Sequence, residues 1–287
     1  ALPFTIPLAH VHGGELTAGA MDDALRHALT KFSHLHFVAT EAYARRVVQM
    51  GEEPWRVTVT GAPSLDTLRM LRLLSPEELH ARFGIRLEPP PLLVTYHPVT
   101  LEYSDASWQI GQLLEALDAV DRPIVFTRTN ADTGGRAIRE SIEAFAARRA
   151  SAQIVTHLGT QAYFSLMAAA AAMVGNSSSG LVEAPSVGLP VVNIGTRQDG
   201  RVRAENVIDV GYSRDEILHG IRAALAPGFR ERLRGLANPY GDGHAAEAIV
   251  NVLRETPLDE RLIRKRFADH APATRAAAKP QVSAYAR

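Results

Sequence analysis

Short apolar segments alternate with amphipathic helical patterns along most of this chain, and this alternation limits the possible folds more than any other feature. A strand, a loop and a helix, repeated many times, predict a parallel sheet covered by helices. We therefore expect an α/β, doubly wound fold whose functional loops follow the carboxyl ends of its strands. The main strands expected are Phe4–His10, His34–Thr40, Arg56–Thr60, Leu92–Tyr96, Pro123–Arg128, Gln153–Thr156 and Pro190–Gly195.

Three consecutive prolines, Pro89–Pro91, interrupt the alternation and read as a stiff connector between two domains. We expect residues 1–88 to form one unit and residues 89–255 a second. Residues 256–287 read as a remnant of the last helix followed by a tail. From Ala271 onward the composition turns to Ala, Pro, Thr and Arg without periodicity, which predicts a frayed end.

Charge and cysteine content exclude several classes of function. Basic and acidic residues both number 31, so the formal net charge is zero and the basic excess of a nucleic-acid-binding face is missing. The absence of cysteine excludes disulfides, thiolate metal sites and a Cys nucleophile, and it fits a cytoplasmic protein. No apolar run reaches the roughly 20 residues of a membrane span and no signal peptide is visible, so we expect no membrane partner.

The stretch from His10 to His27, HVHGGELTAGAMDDALRH, holds the densest group of ionisable residues. Its glycines let a backbone approach a ligand closely, as a catalytic loop requires. Glu15, Asp22 and Asp23 are candidate acid and base groups if burial separates their pKa values. Asp22 or Asp23 is alternatively the cap of the following helix. The initial HVH resembles a metal-ligand pair, but no third and fourth ligand follows at a plausible spacing, so we expect no metal.

A serine-rich turn, GNSSSGLVEAPSVGLP, follows an apolar strand and opens a helix. Hydroxyls and free backbone N–H groups at a helix N-terminus favour an anion, and a diphosphate is the natural guest. Glu183, one turn later, is placed to accept hydrogen bonds from ribose hydroxyls. The alternative is an ordinary serine cap with a solvated glutamate, because the pattern is neither a P-loop nor GxGxxG.

Two further loops follow predicted strands. His97 in TYHP lies just past a strand, and Pro98 blocks further pairing, so we expect the imidazole at the rim where ligands bind. A histidine that merely caps the strand end is the alternative. GTRQDGRVRAEN carries Arg197, Arg201 and Arg203. Solvated arginines are the default for such a run, and we assign substrate binding to Arg197 alone.

HVHGGELTAGAMDDALRHALTKFSHLHF, VTYHPVT, VGNSSSGLVEAPSVGLPVVNIGTRQDGR and NPYGDG occur in this order, and together they resemble the UDP-N-acetylglucosamine 2-epimerases. The hydrolysing branch, which feeds synthesis of sialic-acid-type sugars, is the most similar. The resemblance extends from residue 1 to about Glu255. It implies a GT-B architecture of two Rossmann-like domains with a UDP-sugar in the cleft between them. It also implies diphosphate contacts from Ser177 and Ser178, a ribose contact from Glu183, and a place for His97 near the diphosphate and leaving group.

The chain departs from the family pattern in two places. The resemblance places Glu15 and Asp22 among the opening-loop carboxylates that the family uses in proton transfer. Relatives commonly carry a carboxylate where this chain has His12, so the acid/base role is left to Glu15, to His12 or to neither. Family members also begin with roughly one hundred further residues, more than half a typical domain, that supply a phosphate-contacting Arg and a catalytic Asp. We therefore expect an incomplete first domain with an unpaired sheet edge and exposed apolar surface, and a homo-oligomer, dimer or tetramer.

The chemistry implied by the resemblance needs neither a nicotinamide nor a metal. UDP departs from C1 while a carboxylate removes H2, which gives a 2-acetamidoglucal, and water then adds to release N-acetylmannosamine. Three alternatives stay open. They are a non-hydrolysing epimerase, a hydrolysing epimerase of a diacetamido-trideoxy sugar nucleotide, and a non-catalytic module that binds sugar nucleotides.

Overall fold

The computed structural model describes residues 1–17, 22–129 and 134–269, and its strands form two fully parallel sheets. The first sheet has the order β1-β2-β3 and the second has the order β6-β5-β4-β7-β8-β9. The predicted α/β architecture with parallel sheets is confirmed. The strands are β1 (Ala9–Val11), β2 (Leu35–Val38), β3 (Val57–Val59), β4 (Leu92–Thr95), β5 (Ile124–Thr127), β6 (Ala152–Val155), β7 (Ala172–Gly175), β8 (Val191–Ile194) and β9 (Val207–Val210).

Helices connect the strands, and several begin at side-chain caps. Ser75 and Ser213 each form a capping box with the glutamate three residues later, and the Thr40 side chain accepts from the Tyr43 N–H. The α-helices are α1 (Asp22–Phe32), α2 (Glu41–Gln49), α3 (Pro63–Met70), α4 (Pro76–Phe83), α5 (Ala106–Asp118), α6 (Gly135–Arg148), α7 (Gly159–Ala169), α8 (Ser179–Val182), α9 (Arg214–Ala224), α10 (Phe229–Arg232), α11 (Ala245–Glu255) and α12 (Glu260–Ile263). Short 3₁₀ helices cover Leu2–Phe4, Pro54–Arg56, Thr100–Asp105 and Ala184–Val187.

The strand order of the second sheet places a topological switch point between β4 and β7. From β4 the chain proceeds to β5 and β6 on one side, and then returns to continue through β7, β8 and β9 on the other. Loops that leave β4 and β7 therefore diverge and leave a crevice at the carboxyl edge of the sheet. This is the crevice in which open α/β sheets bind ligands.

The first segment of the chain differs from its prediction. The expected strand Phe4–His10 begins only at Ala9, because Pro7 cannot donate to a ladder, and Leu2–Phe4 is a 3₁₀ turn. Phe4 and Ile6 are 77% and 53% exposed, not buried. Within the described residues β1 pairs only with β2, so β1 is an edge strand whose other side is unpaired.

Packing changes from one unit to the other earlier than the prolines suggest. Leu74, Leu79, Ile85 and Leu87 precede the predicted boundary at residue 88, yet they pack with Leu93 in the core of the second sheet. Pro89–Pro91 therefore leads directly into β4 within one packed unit. The sequence pattern could not indicate this, because α4 is amphipathic whichever sheet it covers.

The end of the chain returns to the first unit. Residues 89–255 were expected to form the second unit, but α11 packs on α3, and its Ile249 and Val252 contact the core that contains Leu35 and Phe37. The Asp66 carboxylate of α3 accepts from the first two N–H groups of α11 at 2.8 and 2.6 Å.

The predicted tail from Ala271 onward lies outside the described residues. Among the helices of the described ranges, none has the length and apolar character that crossing a membrane requires.

Candidate active site

The loops that follow β4 and β7 are joined at the switch point. The His97 N–H donates to the Asn176 side-chain oxygen at 2.7 Å, and the Asn176 amide donates back to the His97 carbonyl at 2.8 Å. Gly175 has a φ of 138°, and a Cβ there would lie 1.9 Å from the Thr95 carbonyl oxygen. Only glycine permits this approach, which brings the two loops together.

A cleft of about 520 Å³ opens beside this junction, at the carboxyl ends of β4 to β7. His97, Ser177 and Glu183, all expected at the site, line the cleft. Ser178 is not among its described lining residues, whereas Ser179 is. Ser177 and Ser178 precede α8, whose first residue is Ser179. The sequence pattern did not separate the three hydroxyls.

Glu183 is enclosed at the floor of the cleft, with 9% of its surface exposed. Burial raises the pKa of this carboxyl, although hydrogen bonds from Ser64 and Ser179 oppose the shift. The Ser64 hydroxyl donates to Glu183 Oε1 at 2.6 Å. Ser64 belongs to α3, so the first unit contributes directly to a cleft in the second. Sequence analysis missed Ser64 because 119 positions separate the two partners.

His97 is neutral at physiological pH. Burial and the nearby positive charge of Arg197 lower the pKa of its imidazole to about 4. The Arg197 guanidinium donates to the Asn176 carbonyl at 3.1 Å, and the Gln198 side-chain amide donates to the same oxygen at 2.8 Å. Arg197 therefore lies next to the serine turn, and Gln198 is an additional residue that fixes this loop.

Glu15 is buried in the opening loop of the first unit. Its Oε1 contacts His12 Nδ1 at 2.8 Å, and its Oε2 contacts Arg201 Nη2 at 3.1 Å. Burial by itself raises the pKa of Glu15, but the hydrogen bond to His12 and the charge of Arg201 outweigh it, so the pKa lies below its ordinary value. The carboxylate is thus ionised and has a partner on each oxygen.

His12 differs from Glu15 in exposure and backbone conformation. Its side chain is 40% exposed, against 5% for Glu15. Its φ of 65° is in the left-handed region, which non-glycine residues adopt rarely and often at functional sites. His12 also opposes the rise in the pKa of Glu183 electrostatically, so the two side chains lie within electrostatic range of each other. The exposed imidazole and the enclosed carboxylate form a pair that can move a proton.

The two aspartates of the opening stretch have different environments. Asp22 is exposed at the first residue of α1, next to positions 18–21, which lie outside the described residues. The Asp23 carboxylate accepts from the Thr17 N–H at 3.0 Å, and Arg26 donates to the Glu15 carbonyl at 3.2 Å. Asp23 and Arg26 thus hold the loop, whereas the proton-transfer role of Asp22 stays a prediction.

The remaining histidines near the loop have structural partners. The Leu8 N–H donates to His34 Nδ1 at 3.0 Å, and His36 Nε2 contacts the Glu52 carboxylate at 3.0 Å. Both histidines are buried. Burial, with charges of neighbouring histidines and Arg26, lowers the pKa of His10 to about 4. Across residues 1–17, 22–129 and 134–269, no group of three His, Asp or Glu side chains is arranged to hold a metal ion.

Comparison with known proteins identifies relatives of this arrangement. A family model for UDP-N-acetylglucosamine 2-epimerase matches residues 1–254. The chain is 37% identical to the UDP-N,N'-diacetylbacillosamine 2-epimerase (hydrolyzing) of Legionella pneumophila, across 92% of this chain and 69% of the relative. It is 42% identical to the GDP/UDP-N,N'-diacetylbacillosamine 2-epimerase (hydrolyzing) of Campylobacter jejuni, across 71% of this chain and 54% of that protein.

A solved structure shows the same fold. The crystal structure of UDP-GlcNAc 2-epimerase from Neisseria meningitidis bound to UDP-GlcNAc matches with a TM-score of 0.77 at 21% identity, over 89% of this chain and 72% of that one. The predicted GT-B-like architecture is confirmed. The chain therefore spans between about half and about two thirds of the length of the two curated relatives. Since the family model matches residues 1–254 and a relative is 37% identical over most of the chain, the chain belongs to the UDP-N-acetylglucosamine 2-epimerase family.

Proposed function

We propose that this chain carries the active site of a hydrolysing 2-epimerase acting on a UDP-linked 2-acetamido sugar. The observation that carries the proposal is the hydrogen-bonded Glu15–His12 pair, whose His12 acts electrostatically on Glu183 in the cleft that His97 and Ser177 also line. A family of epimerases and two relatives named as hydrolysing 2-epimerases support this reaction class. The proposed location of the protein is the cytoplasm, where proteins rarely contain disulfides, and this chain has no cysteine to form one.

The reaction has two balanced steps. In the first, the bond between C1 and the UDP oxygen breaks while a base takes the proton from C2, and the electron pair forms a C1=C2 double bond. Because H2 is not acidic, the departure of UDP must develop positive charge at C1 as the proton leaves. In the second step, water supplies a hydroxyl to C1 and a proton reaches C2 from the opposite face. The products are UDP and the free 2-epimer of the sugar.

Binding roles follow from the positions of the cleft residues. The serine turn with Ser177 and Ser178 and the guanidinium of Arg197 suit the diphosphate, whose departure needs electrostatic stabilisation. The neutral imidazole of His97 can donate one hydrogen bond to the leaving group without a charge. Glu183 suits the ribose hydroxyls, because an enclosed carboxyl at the cleft floor accepts hydrogen bonds from a diol.

Proton transfer belongs to Glu15 and His12 acting together. Both oxygens of Glu15 are engaged and its side chain is enclosed, whereas the ring of His12 is the exposed member of the pair. An ionised carboxylate on Nδ1 orients the ring and stabilises the imidazolium that forms when Nε2 takes a proton. His12→Asn is the sharpest test, because asparagine tolerates the left-handed backbone of this position.

The variants separate chemistry from binding. We expect His12→Asn and Glu15→Gln to lower kcat by roughly 100-fold or more while Kd for UDP, measured by calorimetry, stays within twofold. His97→Ala and Glu183→Ala should weaken UDP binding. Asp22→Asn tests the remaining carboxylate in the same assay. Normal kcat in both Glu15→Gln and His12→Asn would refute the proton-transfer assignment.

Two substrates are distinguished by direct comparison. The names of the two relatives favour UDP-N,N'-diacetylbacillosamine, and the family description favours UDP-N-acetylglucosamine, which we expected from the sequence. Full-length protein should be offered each donor, and kcat/KM compared. The preferred donor should yield free sugar, free UDP and, in D2O, deuterium at C2. A product that keeps its UDP identifies a non-hydrolysing epimerase, and UDP binding without any turnover identifies a binding module.

Self-association is also part of the proposal. Leu25, Leu29 and Phe32 lie at helical spacing on α1, and each is more than half exposed. An apolar stripe of this kind favours contact with a second copy. Sedimentation velocity should therefore give a dimer or tetramer, and Leu29→Glu should shift it toward monomer. Leu258→Glu, an exposed position on another segment, is the control and should leave sedimentation unchanged.

A further inference from the structure

The loop that follows β8 extends from the second unit onto the opening loop of the first. Gly200, with a φ of 76°, lies so close to Leu16 that a Cβ would come within 2.5 Å of its side chain. The Arg201 guanidinium donates to the Leu16 carbonyl at 2.8 Å and to the Thr17 hydroxyl at 3.1 Å, and it lies 3.1 Å from the Glu15 carboxylate. Arg201 is only 8% exposed, so this is an enclosed contact between the units.

The same loop begins at the anion-binding side. Arg197 and Gln198 both donate to the Asn176 carbonyl, and the Asn176 side chain is bonded to the backbone of His97 in both directions. Only two residues lie between Gln198 and Arg201 along the chain. A short, anchored segment therefore connects the serine turn to the residue that contacts Glu15.

We propose that Arg201 is a positioning residue that couples occupancy of the anion cleft to the placement of Glu15, and hence to the Glu15–His12 pair. The inference rests on the proposed function and adds to it a role for a residue outside the substrate contacts. The planar guanidinium suits this role because it bonds a carboxylate, a carbonyl and a hydroxyl at once with fixed geometry. A lysine ammonium has one charged centre and cannot reproduce that fork.

Other charged groups face Glu15 and define what Arg201 adds. His12 of its own loop bonds one carboxylate oxygen, Arg26 of α1 bonds the backbone carbonyl, and the Tyr240 phenol lies near enough for mutual electrostatic influence. Arg201 alone reaches the carboxylate from the second unit, among the described residues. Removal of the Arg201 side chain therefore leaves Glu15 buried beside His12, but it breaks the contact between the opening loop and the loop that follows β8.

Hydrogen exchange on UDP binding tests the coupling. In the full-length protein, saturating UDP should slow amide exchange in residues 13–17. In Arg201→Met, UDP should still bind with Kd within about threefold, but the slowing in residues 13–17 should be lost, and Arg201→Lys should restore part of it. Arg136→Met, at an exposed arginine paired on its own helix, is the matched control. A melting temperature verifies that each variant folds. If Arg201→Met does not fold, Gly200→Ala perturbs the same contact between the loop and Leu16.

The outcomes separate this inference from the proposed function. UDP-dependent protection that persists in Arg201→Met overturns the coupling, whatever the enzyme does. If the wild type fails to bind UDP, the proposed function itself fails.

With turnover established, Arg201→Met should lower kcat by roughly 10- to 100-fold with little change in KM. The acidic limb of the kcat profile should move to higher pH, because a buried Glu15 without its guanidinium protonates more readily. An unmoved limb would mean that Arg201 is merely structural.

Discussion

At the scale of single residues, Gly175 is the position where the site depends most directly on the absence of a side chain. Its Cβ would overlap the Thr95 carbonyl oxygen at 1.9 Å, a backbone atom that cannot rotate away. Gly175→Ala should therefore lower the free energy of unfolding by roughly 3 kcal/mol or more. Urea denaturation of the purified protein measures this loss.

Gly111 provides the matched control for that substitution. It lies inside α5, and a methyl group added there would meet no heavy atom of the described residues within 4 Å beyond its chain neighbours and the backbone of its own helix. Alanine at this position should raise the free energy of unfolding by roughly 0.5–1 kcal/mol, because glycine is a poor helix former. Equal effects at the two positions would show that the approach of Thr95 to Gly175 does not limit stability.

His97 makes stability depend on pH. In the folded protein the imidazole pKa lies near 4, below its ordinary value of 6.5, so between these two values the unfolded chain binds more protons. The free energy of unfolding should therefore fall as pH drops from 6.5 to 4, by at most about 1.4 kcal/mol per pH unit for this one group. His97→Gln should reduce that slope in urea titrations, and an unchanged slope would contradict the burial of a neutral imidazole.

Sequence analysis identified the candidate site residues that lie in a recognisable local pattern. Glu15, His97 and Glu183 stand out because each lies in an unusual loop or turn after a strand. The structure places His97 and Glu183 in one cleft and buries Glu15 in the opening loop of the first unit. Ser64 and Arg201 were missed as site residues for a different reason. Each acts through a partner more than 100 positions away, and no local pattern encodes which distant segment will face it.

At the scale of elements, the segment after α11 fastens the end of the chain to α1. Lys265 donates to the Thr30, Lys31 and Ser33 carbonyls at the end of that helix and forms an ion pair with Glu52 at 2.6 Å. Although burial raises the pKa of Glu52, hydrogen bonds from His36, Lys265 and Lys31 lower it to about 2. The sequence predicts a helix remnant in residues 256–287 but neither the bounds of α12 nor the role of this lysine, because four helical residues give no periodic signal.

Removal of Lys265 should loosen α1 and therefore the loop that precedes it. Lys265→Met removes a donor from three carbonyls at the end of α1 and one of the three partners of the buried Glu52 carboxylate, so we expect a loss of about 2–3 kcal/mol in unfolding free energy. Amide exchange in α1 should also become faster. Arg264→Met is the control, since its exposed pair with Glu260 should contribute within about 0.5 kcal/mol. Similar losses in both variants would contradict the anchoring role.

At the scale of the whole molecule, the sequence predicts the parallel sheets but not how the two units meet. Alternating patterns depend on local burial, and β2, β4 and β8 are buried along their full length as their apolar runs predict. The meeting of the units depends on single pairs between distant residues, for example Ser64 with Glu183 and Glu15 with Arg201. Such pairs have no periodicity, so only the three-dimensional structure identifies them.

Two tyrosines at this junction form a closed ring of hydrogen bonds. The Val202 N–H donates to the Tyr43 hydroxyl at 3.1 Å, and the Tyr240 hydroxyl donates to the Val202 carbonyl at 2.9 Å. Because the Tyr240 proton is used in this way, the 2.8 Å contact between the hydroxyls must be donated by Tyr43. Tyr43 belongs to the first unit and Val202 to the loop that carries Arg201, so the ring ties the same surfaces together.

A double-mutant cycle measures how far this ring acts as one unit. Tyr43→Phe and Tyr240→Phe should each cost about 1–2 kcal/mol of unfolding free energy, because each leaves a buried polar group without its partner. The double variant should cost about 1 kcal/mol less than the sum, since the shared bond is lost only once. Urea denaturation of all four proteins supplies the cycle. Strict additivity would show that the two hydroxyls contribute separately and that the bond between them adds nothing to the stability of the junction.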